Sequence, residues 1–489
     1  MREKMKKCLF YVLAGLMMLV APLTVSAEGT ANYCFGSGGP YRKAPVAYEV
    51  EKVYHAVDLE GVENLNELES MFVTEDSIYV ATLNAVLVLD YDFKVKHILS
   101  EYEDANGNTV KINAPQGLFV TDEGELYVCE PTAGHVLIFD RNYKLLHNYG
   151  QPEGLDITVA YKPSQIVVDS LDRMYIIASG IYEGILEVNS DNKFQRYFGS
   201  TTVSISPLEV FFRMIATEEQ LSKQALILPT EYSSLTINEK GFIYTTIRSS
   251  EVENPIRLLN VNGKDIMPED WQGEHPMGDW GYAIAQRVTS ESGPSNLSYI
   301  DCNEYGMYMV LDRTRNRIFT YDGASNVLFV FGGSGDKDGC FRNPVSVRWL
   351  GDSSRVLVAD KLAQSITVMK PTNYAGAIIE AVRLETEGDR ENAVVEWQKA
   401  LEMNSSCSVA KDAIGRELYW EGRYKESQEI LGQIYRTDYY SMAFEKTREE
   451  IVRAYAPGAV AVLVVLIVAV KAVRHVRKGR KGGDAYAKG

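Results

Sequence analysis

Few residues in this chain of 489 are of a type and spacing that does chemistry. The six histidines, His55, His97, His135, His147, His275 and His475, are scattered. No H-E-x-x-H, P-loop, G-x-S-x-G or dinucleotide fingerprint occurs. Cys8 lies in the apolar N-terminus, which leaves Cys34, Cys129, Cys302, Cys340 and Cys407, with no C-x-x-C and no zinc-type spacing. Hard oxygen donors are more regular: Glu69, Gln116, Ser164 or Gln165, Ser233, Asn296 and Ser346 each head an apolar segment. One carboxylate and three amides at most is a meagre set for a divalent cation. Asp104, Asn106 and Asn108, and again Asp336 and Asp338, resemble calcium loops but lack the closing Glu, and turn chemistry explains both more simply. No cofactor is therefore expected, with calcium the one metal these loops raise. Trp271, Trp280 and Tyr282 stand beside Asp270, Glu274 and Asp279 in a loop long enough to overhang its surroundings. Such aromatics either stack on a sugar or grip a partner, or fold back over a sheet edge.

The elements that must position these residues come from a repeat between about residues 65 and 370. Its phrase is a turn, an apolar strand, a polar turn, a strand with a Tyr, another turn and an aliphatic strand. Tyr79, Tyr127 and Tyr175 fall 48 residues apart, and later copies begin near Ser233, Ser295 and Val345, making six. A period near 50 with three or four short strands per unit predicts propeller blades, whose radial closure hides sheet edges. After Pro371 no further strand follows, whereas Ala47 to Val57 reads as a strand without a partner. We expect it to complete the sixth blade. Insertions at about 200–228 and 266–292 interrupt the period; the first, around Phe211, Phe212, Ile215 and Leu221, has helical spacing.

APQGLFVTDEGELYV followed by HVLIFD, and FGGSGDKDGCFRNP from Phe331 to Pro344, resemble the NHL-repeat family of six-bladed propellers. His135, in the HVLIFD match, suits a turn or surface role better than catalysis. At fold level the ring is also similar to gluconolactonase-type hydrolases. That likeness implies a cation at the axis, held here by residues such as Glu69 and Asn296. From Pro371 onward the period becomes 3.6 residues, with Gly388 and Gly422, Ala381 and Gly415, and Ala393 and Ser427 each 34 apart. GDRENAVVEWQKALEMN resembles a tetratricopeptide repeat, and WEGRYKESQEILGQI a looser second copy. Such a pair serves as a spacer or as a peptide groove.

The ends place the body relative to a membrane. Arg2, Lys4, Lys6 and Lys7, an uncharged run to Val20 and the small residues before Ala27 predict a cleaved signal peptide. Ala454 to Val470 carries no charge and is followed by Lys471, Arg474, Arg477, Lys478, Arg480 and Lys481. That pattern predicts one membrane helix with a cytoplasmic C-terminus. Four Lys/Arg precede residue 28 and seven follow residue 470. Without them, and without one acid from each end, 39 basic and 64 acidic residues remain, a net −25. Such a body repels phosphate backbones, so no nucleic-acid partner is expected.

The expected fold is therefore mainly β, a six-bladed NHL-type propeller followed by a helical pair and one transmembrane helix. Its segments are a signal peptide (1–27), a lead-in (28–45), the propeller (46–372), the helical domain (373–453), the membrane helix (454–473) and a basic tail (474–489). The whole order is similar to a surface-protein family of Gram-positive anaerobes found alongside carbohydrate-uptake transporters. It implies components of a carbohydrate ABC transporter as partners. The function expected is a non-catalytic, membrane-anchored extracellular scaffold that binds a protein or glycan. The candidate binding residues are Glu69, Gln116, Gln165, Ser233, Asn296, Trp271, Trp280 and Tyr282. A metal-dependent, gluconolactonase-like hydrolase is the alternative.

Overall fold

The computed structural model describes residues 32–35, 41–200, 231–248, 254–270, 273–279, 293–351, 354–434 and 436–486. The signal segment, the insertion beyond Ser200 and Trp271, Trp280 and Tyr282 lie outside them. Within them the chain is a six-bladed β-propeller followed by helices. Counted from the axis, blade 1 runs from Met71–Val73 to Val95–Leu99, blade 2 from Leu118–Val120 to Leu145–Tyr149 and blade 3 from Pro163–Val168 to Phe194–Phe198. Blade 5 runs from Leu297–Cys302 to Val327–Gly332, and each of these four has four antiparallel strands. Blade 4, Tyr232–Ile237 to Ile256–Leu259, has three, and an isolated Leu259–Asp265 bridge stands where a fourth would start. The first strands of neighbouring blades touch all the way round, so the ring is closed.

Closure is made by the strand anticipated from the N-terminal side. Tyr48–Tyr54 pairs antiparallel with Ser365–Pro371 as the outer strand of blade 6. Tyr48 anchors it: the ring stacks on Phe331 at 4.5 Å, and the hydroxyl donates to the Ser354 carbonyl at 2.7 Å. The segment before it is more than a lead-in, because Tyr33–Phe35 and Tyr41–Lys43 form a hairpin against the outer strand of blade 5.

Blade turns repeat one device. Asp90, Asp140, Asn189, Asn260 and Asp322 each accept, through Oδ1, the backbone N–H groups two and four residues on. The residue three positions on (Phe93, Tyr143, Asn192, Gly263 or Ser325) takes positive φ. Side-chain acceptance fixes the turn, and in blades 1, 2, 3 and 5 the register of the two strands it joins shifts beside it. Asp104 does the same for Asn106 and Asn108 in a small hairpin between blades 1 and 2, as turn chemistry requires. Asp336 pairs with Arg342 at 2.5 Å.

Beyond Pro371 come α1 (Asn373–Glu387), α2 (Arg390–Met403), α3 (Ser408–Trp420), α4 (Tyr424–Leu431) and α5 (Thr437–Tyr486). Helix α1 ends on Gly388 at φ 86°, a left-handed cap that a side chain would strain. Helices α3 and α4 approach closely at Gly415, where a Cβ would lie 2.5 Å from Leu431 Cδ2; Ser427 Oγ donates to the Gly415 carbonyl at 2.7 Å. The helices share one apolar core with blades 5 and 6, in which Tyr374, Ile378 and Trp397 join Met309, Phe329 and Trp349. Helix α5 is long and apolar enough to cross a membrane, and none of its most apolar stretch is covered by the rest of the chain. It begins at Thr437, so the stretch before the apolar run is continuous with it, and Pro457 falls inside it.

Candidate functional site

The ring axis opens into a cavity of about 410 Å³ lined mainly by polar side chains. Strand register explains which residues reach it. Met71, Leu118, Ile166, Leu235, Ile300 and Val347 on the first strands oppose Val80, Val128, Ile176, Thr245, Val310 and Val358 on the second. They are thus equivalent in the six blades. Two residues before each first-strand position lie Glu69, Gln116, Ser164, Ser233, Ser298 and Val345, and all six line the mouth. Four of the sequence candidates, Glu69, Gln116, Gln165 and Ser233, are therefore brought together. Asn296 lies two residues short of the equivalent position, which Ser298 holds. Its backbone N–H is clasped by Asp312 at 2.9 Å, and its side chain is not among those lining the mouth.

The second strands supply what the sequence reading did not single out. Three residues beyond each opposing position come Leu83, Pro131, Ser179, Arg248, Arg313 and Lys361. Blades 4, 5 and 6 thus turn three basic side chains toward the mouth from one structural position. The signal was present as the residue that follows each second strand, in YTTIR, YMVLDR and VLVADK. Buried carboxylates hold two of these turns. Asp312 accepts from the Asn296 and Thr314 backbone N–H groups, and Asp360 from those of Arg342, Asn343, Leu362 and Ala363.

Charge within the mouth is unevenly paired. Lys361 bridges Glu67 and Glu69, the latter at 2.5 Å, and these carboxylates hold its ammonium above the ordinary range against the opposing effect of burial. Glu231 accepts from the Gly180 backbone N–H at 2.9 Å. Arg313 Nη2 reaches Asn343 Oδ1 at 3.4 Å. The Arg248 side chain lines the cavity and makes no hydrogen bond or ion pair with the described residues. Loss of water, then the nearby Arg313 charge, lower its pKa, while Glu231 and Glu69 work the other way. The neutral lining is partly satisfied, as Ser233 Oγ lies 2.8 Å from Thr246 Oγ1 and Ser164 Oγ donates to the Ile177 carbonyl.

The cation that gluconolactonase likeness implies does not fit this donor set. Glu69 is taken by a lysine, Asn296 lies off the ring of lining residues, and three basic groups repel a divalent ion from the axis. Among the described residues no three His, Cys, Asp or Glu side chains converge to hold a metal. His135 meets Glu130 at 2.5 Å, and Glu130 also accepts from the Asn113 backbone N–H, which makes the pair a fastener of the blade 2 turn. The described part of the loop at 266–292 folds back rather than overhanging. Met267 and Asp279 are buried, and Asp279 receives Arg317 Nη1 at 3.0 Å.

No family model matches the chain, and no curated protein does. Among solved structures, virginiamycin B lyase from Staphylococcus aureus is similar to it at 9% identity, over 65% of this chain and 98% of that one, with a TM-score of 0.40. The β-propeller domain of Myceliophteria thermophila Cps50 (Swd1) covers 66% of this chain and 100% of its own at 7% identity and a TM-score of 0.38. Kuenenia stuttgartiensis hydrazine synthase gives 13% identity, 64% and 98% coverage, and a TM-score of 0.36.

Proposed function

We propose that this chain is a non-catalytic, membrane-anchored scaffold whose ring mouth binds a glycan or protein partner on the outer side of a membrane. One observation carries the reading. Six equivalent positions and three basic neighbours converge on one polar cavity, and the carboxylate that could serve a metal is bound to Lys361. Hydroxyls, amides and guanidinium groups recognise a ligand, whereas hydrolysis needs an activated nucleophile or a metal-bound water. In this reading the ring is of the NHL type and the helices are a tetratricopeptide-like pair. Their common core with blades 5 and 6 supports a stiff adaptor rather than a loose tether. The N-terminal signal, the basic tail and association with a carbohydrate transporter belong to the same proposal.

The test uses the full-length chain in lipid nanodiscs, presented to arrays of glycans and cell-wall fragments. Retention of a specific glycan or surface protein by the wild type, and its loss on filling the mouth with Ser233→Trp, is the expected result. Turnover of lactones or glycosides that disappears on chelation would replace this reading with the hydrolase.

A further inference from the structure

We infer that the mouth between blades 4 and 6 takes a small hydroxylated monoanion, a sugar acid whose carboxylate sits between Arg248 and Arg313 while its hydroxyls meet the Ser and Gln side chains of blades 2 to 4. This deepens the proposed function and rests on it.

Four observations converge. In a body of strongly negative charge, the axis gathers three basic side chains from three consecutive blades at one register position. Two of these are available. Lys361 is neutralised by Glu67 and Glu69, whereas Arg248 is bonded to no described side chain and Arg313 only reaches the Asn343 amide. Guanidinium groups are planar forks that match a carboxylate in bidentate fashion, a geometry an ammonium lacks. Around the same cavity, Gln116, Ser164, Gln165, Ser179 and Ser233 supply donors and acceptors suited to hydroxyls rather than to an apolar ligand.

Charge counting selects a monoanion. With Lys361 taken up by Glu67 and Glu69, the remaining charges at the mouth are Arg248 and Arg313 against Glu231, two positive groups against one negative, an excess of one. A carboxylate balances that excess. A dianionic phosphate overshoots it. The cavity, about 410 Å³, is in the range of small-molecule sites and too small for a folded partner to enter.

The experiment is calorimetric titration of the full-length chain in nanodiscs with glucuronate, glucose and glucose 6-phosphate. Glucuronate is expected to bind saturably and at least tenfold more tightly than either competitor. Its affinity should fall as salt rises. Arg248→Gln and Arg313→Gln, each checked for unchanged thermal unfolding, should each weaken glucuronate at least tenfold and leave glucose within about twofold. Equal affinities for glucuronate and glucose in the wild type, or tighter binding of glucose 6-phosphate, would overturn the inference without any variant. So would normal glucuronate binding by folded Arg variants. If glucuronate fails while a neutral glycan or a surface protein still requires an open mouth, the sugar-acid assignment falls and the scaffold reading stands. Failure of every ligand class removes both.

Discussion

At the scale of single residues, the ring depends on a few charges placed where water is scarce. Arg348 is buried on the first strand of blade 6, donating to Asp301 at 2.6 Å and to the Met71 carbonyl at 2.8 Å, so it ties three blades together. Burial opposes its charge, and Asp301 with Tyr299 more than restores it. Removing one partner leaves the other charge buried and uncompensated, so Arg348→Met should cost about 3–5 kcal/mol in chemical denaturation. Asp322 offers a pH test. Burial pushes its carboxyl up to about 6, only partly offset by hydrogen bonds from Asn326 and Ala324, and Glu385 adds to the rise. A carboxyl raised in the folded state destabilises it once ionised, so the penalty is absent below about pH 4 and complete above about pH 6. Asp322→Asn keeps the Oδ1 acceptor of the turn. Its stability relative to wild type should therefore improve from pH 4 to pH 7, by about 1–3 kcal/mol, as measured by urea unfolding at the two pH values.

At the scale of elements, register decides which side chains meet. The six copies, the closing strand and the helical period were all legible, because alternation, spacing of Tyr79, Tyr127 and Tyr175 and the small residues 34 apart are local signals. The mouth was only half legible. First-strand positions follow a turn and are easily aligned, so Glu69, Gln116 and Ser233 could be read directly. Asn296 was read in place of Ser298 because SNLSYI carries a polar residue at both positions, and apolar patterning does not choose between them. Arg248, Arg313 and Lys361 escaped notice because their convergence needs three sheets to close around an axis. The buried Asp279 likewise looked like a loop charge until Arg317 was placed beside it. Two element-scale outcomes follow. Val53→Pro, which puts a proline into the seam opposite Thr367, should loosen closure and speed limited proteolysis of blade 6 without affecting far-UV helix content. Gly415→Ala should lower helical-domain stability by about 1–3 kcal/mol, because the added methyl meets Leu431.

At the scale of the whole molecule, the ring, the helical pair and α5 form one continuous path from the mouth to an apolar helix. The core common to blades 5 and 6 and α1 to α3 gives the adaptor a fixed seat, so a ligand held at the axis would be presented at a set position relative to the apolar end of α5. Which side of the membrane the ring occupies determines whether it meets extracellular ligands, and that is the point on which the proposed role stands or falls. The most direct measurement is sidedness in intact cells. Lys240→Cys, in the exposed blade 4 turn, would be challenged with a membrane-impermeant maleimide alongside the wild-type chain, and a C-terminal epitope probed before and after lysis. The account predicts labelling of Cys at position 240 on intact cells, beyond the wild-type background, with the epitope reached only after lysis. Labelling only after lysis, with the epitope exposed on intact cells, would contradict it.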